Sequence, residues 1–242
     1  MNLIIDVGNT NVKLAVFQDN EIIFRNTEKL ESLKESVSNL LKEFKSIKNV
    51  IVSSVGRLKK EDIKFLDQKL DVLILDSDTP VPFANNYKSP KTLGVDRIAL
   101  VSASVNQFHK KNVLIIDAGT CITYDFVTSK NVYLGGAISP GIGVRYQSLN
   151  NLTSNLPLLK TKSPESVIGK STKESIHSGV INGVLMEIDG IVQEYVKDYE
   201  DLTVILTGGD AEFLSKRLKS SIFANSNFLL EGLNFILEFN SN

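Results

Sequence analysis

Residues 3–8 read Leu-Ile-Ile-Asp-Val-Gly and residues 114–119 read Leu-Ile-Ile-Asp-Ala-Gly. Each is a short β-rich run ending in Asp-x-Gly, and each continues into a second β-like run, Val12–Phe17 in one case and Ile122–Val127 in the other. A third run follows in both, around Ile22–Phe24 and Val132–Leu134. Helical spacing then appears at Leu30, Leu33, Val37, Leu40, Leu41 and Phe44, and again at Ile176, Val180, Val184, Ile188, Val192 and Tyr195. Strands are predicted after these helices, at Val50–Ser53 and Thr203–Leu206. Further helical spacing is found at Ile63 and Leu66, ahead of a strand at Val72–Leu75, and at Phe213, Leu214 and Leu218. Alternating strands and helices, written twice, predict an α/β class with two similar domains and a cleft between them that takes a ligand.

The Pro- and Asn-rich stretch from Asp76 to Leu93 reads as a loop feeding a helix with Ile98, Val101, Val105 and Phe108 on its apolar side. The domain boundary is therefore expected near residue 110, giving domains 1–110 and 111–242. Lys and Arg total 27 against 28 for Asp and Glu, a net charge of −1 that predicts no nucleic-acid partner. Cys121 alone cannot make an intramolecular disulfide or a cysteine zinc site. No run approaches the apolar length of a membrane span, and a soluble, cytoplasmic protein is expected.

Several segments carry candidate chemistry. Asp6-Val7-Gly8-Asn9-Thr10-Asn11-Val12-Lys13 lies between two β runs. A tight Gly-Asn turn with φ > 0 gathers backbone N–H groups into a nest for phosphate oxygens, with Asp6 placed for hydrated Mg²⁺ and Lys13 adding positive charge. The plainer reading is a hairpin with a polar turn. Asp117-Ala118-Gly119-Thr120 repeats the pattern, and two copies can grip a polyphosphate from both sides. Cys121 reads as a small packed residue, and Thr123 as ordinary strand. Gly94-Val95-Asp96-Arg97 opens a helix, so Asp96 is either a dipole partner of that helix or a base facing a substrate hydroxyl, with Arg97 gripping a carboxylate. Gly135-Gly136 through Gly141-Ile142-Gly143 is either a bare turn or a floor for substrate, and Thr207-Gly208-Gly209-Asp210 is a weak nucleotide signal. Gly169-Lys170-Ser171 mimics the end of a P-loop, but Pro164 stands where that pattern needs glycine and no strand precedes it.

Taken as an ordered set, these segments resemble the type III pantothenate kinases. The matching residues are Asp6-x-Gly-Asn-Thr-x-x-Lys13, Tyr87…Pro90…Leu93-Gly-Val-Asp-Arg97, Asp117-Ala-Gly-Thr120 and Gly135-Gly-x-Ile-x-Pro-Gly141. Leu152-Thr-Ser-Asn-Leu-Pro157, Ser171-Thr172 ahead of His177-Ser-Gly179, and Thr207-Gly-Gly-Asp210 complete the set. The resemblance spans nearly the whole chain and implies two ribonuclease H-like domains of the actin-like ATPase fold with a nucleotide cleft between them. It also implies ATP-dependent phosphorylation of pantothenate.

By that resemblance, Asp6, Val7, Gly8, Asn9, Thr10, Asn11, Val12 and Lys13 bind ATP phosphates, with Mg²⁺ reached through Asp6, and Thr120 contacts ATP. Asp96 is the proton acceptor. Tyr87, Gly94, Val95, Asp96, Arg97 and Thr172 line the pantothenate pocket, and Asp117 holds K⁺ or NH₄⁺. A homodimer is implied as well. The departures are Cys121 where Ala is frequent, Ser154 where Ala is frequent after Thr153, and a short chain; none removes a catalytic group. Two alternatives stand beside this reading: another small-molecule kinase of the same superfamily, and a non-catalytic regulator on the same fold.

Overall fold

The computed structural model describes residues 1–55, 58, 60–66 and 70–241. The chain divides into two compact units. The first comprises Met1–His109 with Asn131–Tyr133 and Asn227–Asn242, and the second Lys110–Lys130 with Leu134–Ser226.

In the first unit, β1 (Asn2–Val7), β2 (Val12–Gln18) and β3 (Glu21–Glu28) form an antiparallel meander. Asp19 and Asn20, at φ 50° and 66°, make the two-residue turn between β2 and β3. The chain then runs through α1 (Leu33–Glu43), β4 (Asn49–Ser54), α2 (Lys60–Ile63), β5 (Asp71–Ile74), the short β6 (Ala84–Asn85) and α3 (Val95–Gln107). Strand order is β3-β2-β1-β4-β5, with β1, β4 and β5 parallel. Every residue of β1 is buried, as expected for a central strand covered on both faces. Leu3, Ile5 and Val7 pack with Leu33, Val37 and Leu40 of α1.

The second unit contains β7 (Asn112–Ala118), β8 (Cys121–Val127), β9 (Val132–Pro140), α4 (Ile142–Asn151), α5 (Thr172–Asp198), β10 (Leu202–Thr207), α6 (Ala211–Ser215) and β11 (Phe223–Ala224). The first two residues of β9 cluster with the first unit, where Ala84 and Asn85 pair with Val132 and Tyr133. Its five main strands run β9-β8-β7-β10-β11, the same arrangement as β3-β2-β1-β4-β5. Leu114, Ile116 and Ala118 of β7 pack with Ile181, Val184 and Ile188 of α5. The duplicated sequence therefore folds into duplicated sheets.

The closing helix α7 (Phe228–Asn240) belongs to the first unit, not to a continuous 111–242 domain. It packs on α3 so closely that a Cβ at Gly232 would lie 2.0 Å from the Ala99 carbonyl oxygen. Asn234 of α7 accepts a 2.8 Å hydrogen bond from Asn2 of β1, which ties the end of the chain to its beginning. Under this cover, every residue of α3 from Arg97 to Val105 is buried. The Ser102 and Ser104 hydroxyls donate back to the carbonyls of Ile98 and Val101, so neither is left unmet in the core.

Candidate active site

In the first unit, Asp6 is the next-to-last residue of β1, paired with Lys13 on β2 and Ser53 on β4. The Asp6 residue is only 5 % exposed. Burial pushes the pKa of its carboxyl up to about 6; Lys13 pulls it down and the charge of Asp96 pushes it further up. The loop to β2 has four residues and closes through Gly8 N–H donating to the Asn11 carbonyl at 3.0 Å. Asn9, Thr10 and Asn11 are exposed. None of residues 8–11 has positive φ, contrary to the expected left-handed Gly-Asn turn. A four-residue loop has room to reverse the chain through ordinary φ values, so the glycine serves this turn in another way.

Gly94 is the N-cap of α3, and Val95, Asp96 and Arg97 form its first turn. Asp96 Oδ1 accepts the Arg97 N–H at 2.9 Å, so the carboxylate meets one of the open amides of the helix start. Both sequence readings of Asp96 are thus compatible: it serves the helix end and remains close enough to act on Asp6. Arg97 is buried, and its guanidinium lies 5.5 Å from the centre of the Tyr87 ring. Tyr87 in turn stacks on Tyr133 at 6.0 Å and 29°. The first unit therefore gathers Asp6, Lys13 and Asp96 in one place, and orders Tyr87 over Arg97.

In the second unit, Asp117 is the next-to-last residue of β7 and pairs with Thr123. Only Gly119 and Thr120 separate the two strands, and the turn is closed by Gly119 N–H donating to the Cys121 carbonyl at 2.9 Å. Thr120 is exposed, and Cys121 is exposed too, not packed as its small size suggested. Two segments press on this turn. Gly208, at φ 95°, stands where a Cβ would be 2.3 Å from Asp117 Oδ1 and 2.4 Å from the Ala118 oxygen. Asp210 N–H donates to the Ala118 carbonyl at 2.9 Å. Gly141 donates from its N–H to the Thr120 carbonyl at 3.0 Å, and a Cβ there would be 2.1 Å from the Gly119 oxygen. At 141 and 208 the glycines make room for the protein's own turn, where the sequence had suggested a floor for substrate at the first and an approach for nucleotide at the second.

Thr172 is the first residue of α5 and lines a pocket of about 930 Å³ with Arg145, Ser148, Lys170, Ser171 and Ser175 among others. Ser171 caps this helix, its Oγ accepting from Glu174 N–H at 3.3 Å, so the Gly169-Lys170-Ser171 segment is a helix start and not a phosphate loop. Among the described residues no group of three or more His, Cys, Asp or Glu forms a metal site, and no helix is long and apolar enough to cross a membrane. Tyr133, Ser53 and Arg145 escaped the sequence reading. Tyr133 had only a strand signal, and Arg145 only its place two residues after a Gly-rich segment.

A family model described as type III pantothenate kinase matches residues 2–194. A type III pantothenate kinase of Christiangramia forsetii is 54% identical over 240 residues, covering 99% of each chain. A solved protein of Campylobacter jejuni, provisionally described as a Baf family transcriptional activator, is 25% identical with a TM-score of 0.64 over 99% of both chains. A Sinorhizobium meliloti protein, provisionally described as a 2-dehydro-3-deoxygalactonokinase, has a TM-score of 0.66 over 99% of both chains at 11% identity. The last likeness carries the fold alone, that of the sugar kinases and actin-like ATPases.

Proposed function

The chain belongs to the type III pantothenate kinase family, and on that footing we propose that it transfers the γ-phosphoryl group of ATP to the primary hydroxyl of pantothenate, the first step of coenzyme A biosynthesis. The observation that carries the residue assignment is the first turn of α3. It puts a carboxylate, Asp96, beside Asp6 and its partner Lys13, with the Arg97 fork on the next residue.

Phosphoryl transfer passes through a loose transition state whose charge is spread over the phosphate oxygens. The protein's part is then positioning and charge neutralisation. The pantothenate hydroxyl oxygen bonds to the γ-phosphorus, the bond to the bridging oxygen breaks, ADP leaves, and the hydroxyl proton passes to Asp96. Arg97, held under Tyr87, grips the pantothenate carboxylate through its planar fork. Lys13 and the amides of residues 9–11 hold phosphate oxygens.

The buried Asp6 carboxylate, whose charge is disfavoured when alone, is a hard oxygen donor that would hold hydrated Mg²⁺, and the ion would supply neutralisation of phosphate charge there. Asp117, with the Ala118 carbonyl at the same turn, offers hard oxygens for K⁺ or NH₄⁺. Thr120 contacts ATP, and Thr172 contributes to the pantothenate pocket. The family resemblance also supports a cytoplasmic homodimer. On α5, Gly179 and Gly183 face open space and Met186 is 64% exposed, features that suit a partner helix.

The reading is tested by ADP release from the purified protein with ATP, Mg²⁺ and pantothenate, with and without K⁺ or NH₄⁺. Pantothenate-dependent release that requires the monovalent ion is expected. Release that ignores the ion removes the role given to Asp117, and release that ignores pantothenate but follows a sugar moves the substrate.

A further inference from the structure

Glu187 lies in the second half of α5. Its Oε1 accepts from the Tyr124 hydroxyl at 3.0 Å, and its Oε2 accepts from Arg145 Nη2 at 2.6 Å. The Arg145 side chain makes two further bonds: Nη2 also donates to Ser139 Oγ at 2.9 Å, and Nε donates to the Pro140 carbonyl at 2.8 Å. Ser139 and Pro140 lead directly into Gly141, the residue whose backbone is pressed onto Gly119 and Thr120. Tyr124 is on β8, four residues after Thr120, with its ring fully buried. Ser139 and Pro140 close β9, and Gly136, earlier on that strand, has a Cβ position only 1.6 Å from the Tyr124 carbonyl oxygen of the neighbouring β8.

From this geometry we infer that Glu187, acting through Arg145 and Tyr124, is a positioning residue that clamps the Ser139–Gly141 strap onto the Thr120 turn and so fixes that turn for the nucleotide. The inference rests on the proposed contact of Thr120 with ATP. A half-buried ion pair contributes little to stability by itself, because desolvation offsets the Coulomb attraction. The specific directions of the Arg145 fork do contribute. They meet the Pro140 carbonyl and the Ser139 hydroxyl, and they leave the strap one way to lie on the turn. Burial pushes the Tyr124 pKa upward; burial also pushes that of Glu187 up, but the bonds from Arg145, Ser139 and Tyr124 together draw it below its ordinary value.

The test is steady-state kinetics on the full-length Glu187→Gln protein, with Tyr124→Phe as a gentler second variant and thermal unfolding measured on both. Glu187→Gln is expected to raise KM for ATP about fivefold, within the range of couplings inside one hydrogen-bond network, and to change KM for pantothenate less than twofold. Tyr124→Phe is expected to shift the same constant less. A lowered melting temperature with both KM values unchanged would show a merely structural strut and overturn the inference, as would equal shifts in the two constants. Thr120→Ala is the control: if it leaves KM for ATP unchanged, the nucleotide contact itself fails, independently of Glu187. Where Thr120→Ala raises that constant, the double variant with Glu187→Gln is expected to be less than additive. Full additivity also counts against the clamp.

Discussion

Asp6 and Asp117 occupy equivalent places, each the next-to-last residue of the central strand in sheets of the same order. Their surroundings differ. Asp6 faces Lys13 across the hairpin and is buried, with its carboxyl held well above the usual range. Its loop is four residues long, closed by one backbone hydrogen bond, with an exposed tip. Asp117 faces Thr123, and its shorter loop is pressed from two directions by the backbone at Gly141 and Gly208. The first turn is electrostatically costly and sterically loose; the second is sterically fixed. One repeated pattern thus supplies a buried carboxyl whose charge is disfavoured in one copy and a sterically fixed turn in the other.

The comparison breaks most visibly at the glycines. Gly208→Ala or Gly141→Ala should destabilise the protein by about 3–5 kcal/mol, because a methyl meets backbone oxygens at 2.4 and 2.1 Å and, at 208, φ is 95°. Gly8→Ala, whose nearest neighbour is the Asn11 oxygen at 3.3 Å, should cost about 1 kcal/mol or less. Urea unfolding of the three variants decides this, and equal losses at Gly8 and Gly141 would erase the steric contrast.

A smaller effect, of opposite sign, belongs to Asp6. Its folded pKa of about 6 stands above its ordinary value of 3.8, so the stability of its neutral form is fully present below about pH 4 and is lost as pH rises through 6. The difference of 6 − 3.8 = 2.2 units corresponds to at most about 3 kcal/mol. Asp6→Asn, which never ionises, should therefore stabilise the ligand-free protein at pH 7 by up to that amount, show no gain at pH 4, and lose turnover. A melting-temperature difference that does not depend on pH would contradict the burial argument. Cys121→Ala should have the smallest effect, about 0.5 kcal/mol or less and unchanged turnover, because the thiol is exposed at the turn.

Much of this contrast was hidden from the sequence. The repeated Leu-Ile-Ile-Asp runs announced two like halves because strand, turn and acid recur in order, and the α/β class follows from that local pattern. The ordered motifs likewise marked Asp6, Asp96, Arg97 and Asp117 as a set. The sequence did not show that α7 leaves its neighbours in the chain and returns to α3, since the pairing of Gly232 with Ala99 depends on a long-range contact. The α4 helix was missed because only Ile142 and Tyr146 on it are buried, too few for a clear periodic signal. Arg145 and Glu187 lie 42 residues apart and meet only through the packing of α4 on α5. Exposure of Cys121 and burial of Asp6 are properties of the finished sheets, in which strand centres are covered and loop tips are not.

The central claim is that the first turn of α3 carries the acceptor chemistry of a pantothenate kinase, and Asp96→Asn tests it most directly. The variant should keep its circular dichroism spectrum and melt cooperatively, while pantothenate-dependent ADP release falls by about 10²–10⁴-fold. Turnover within a few-fold of the unaltered protein, from a folded Asp96→Asn, would contradict the account.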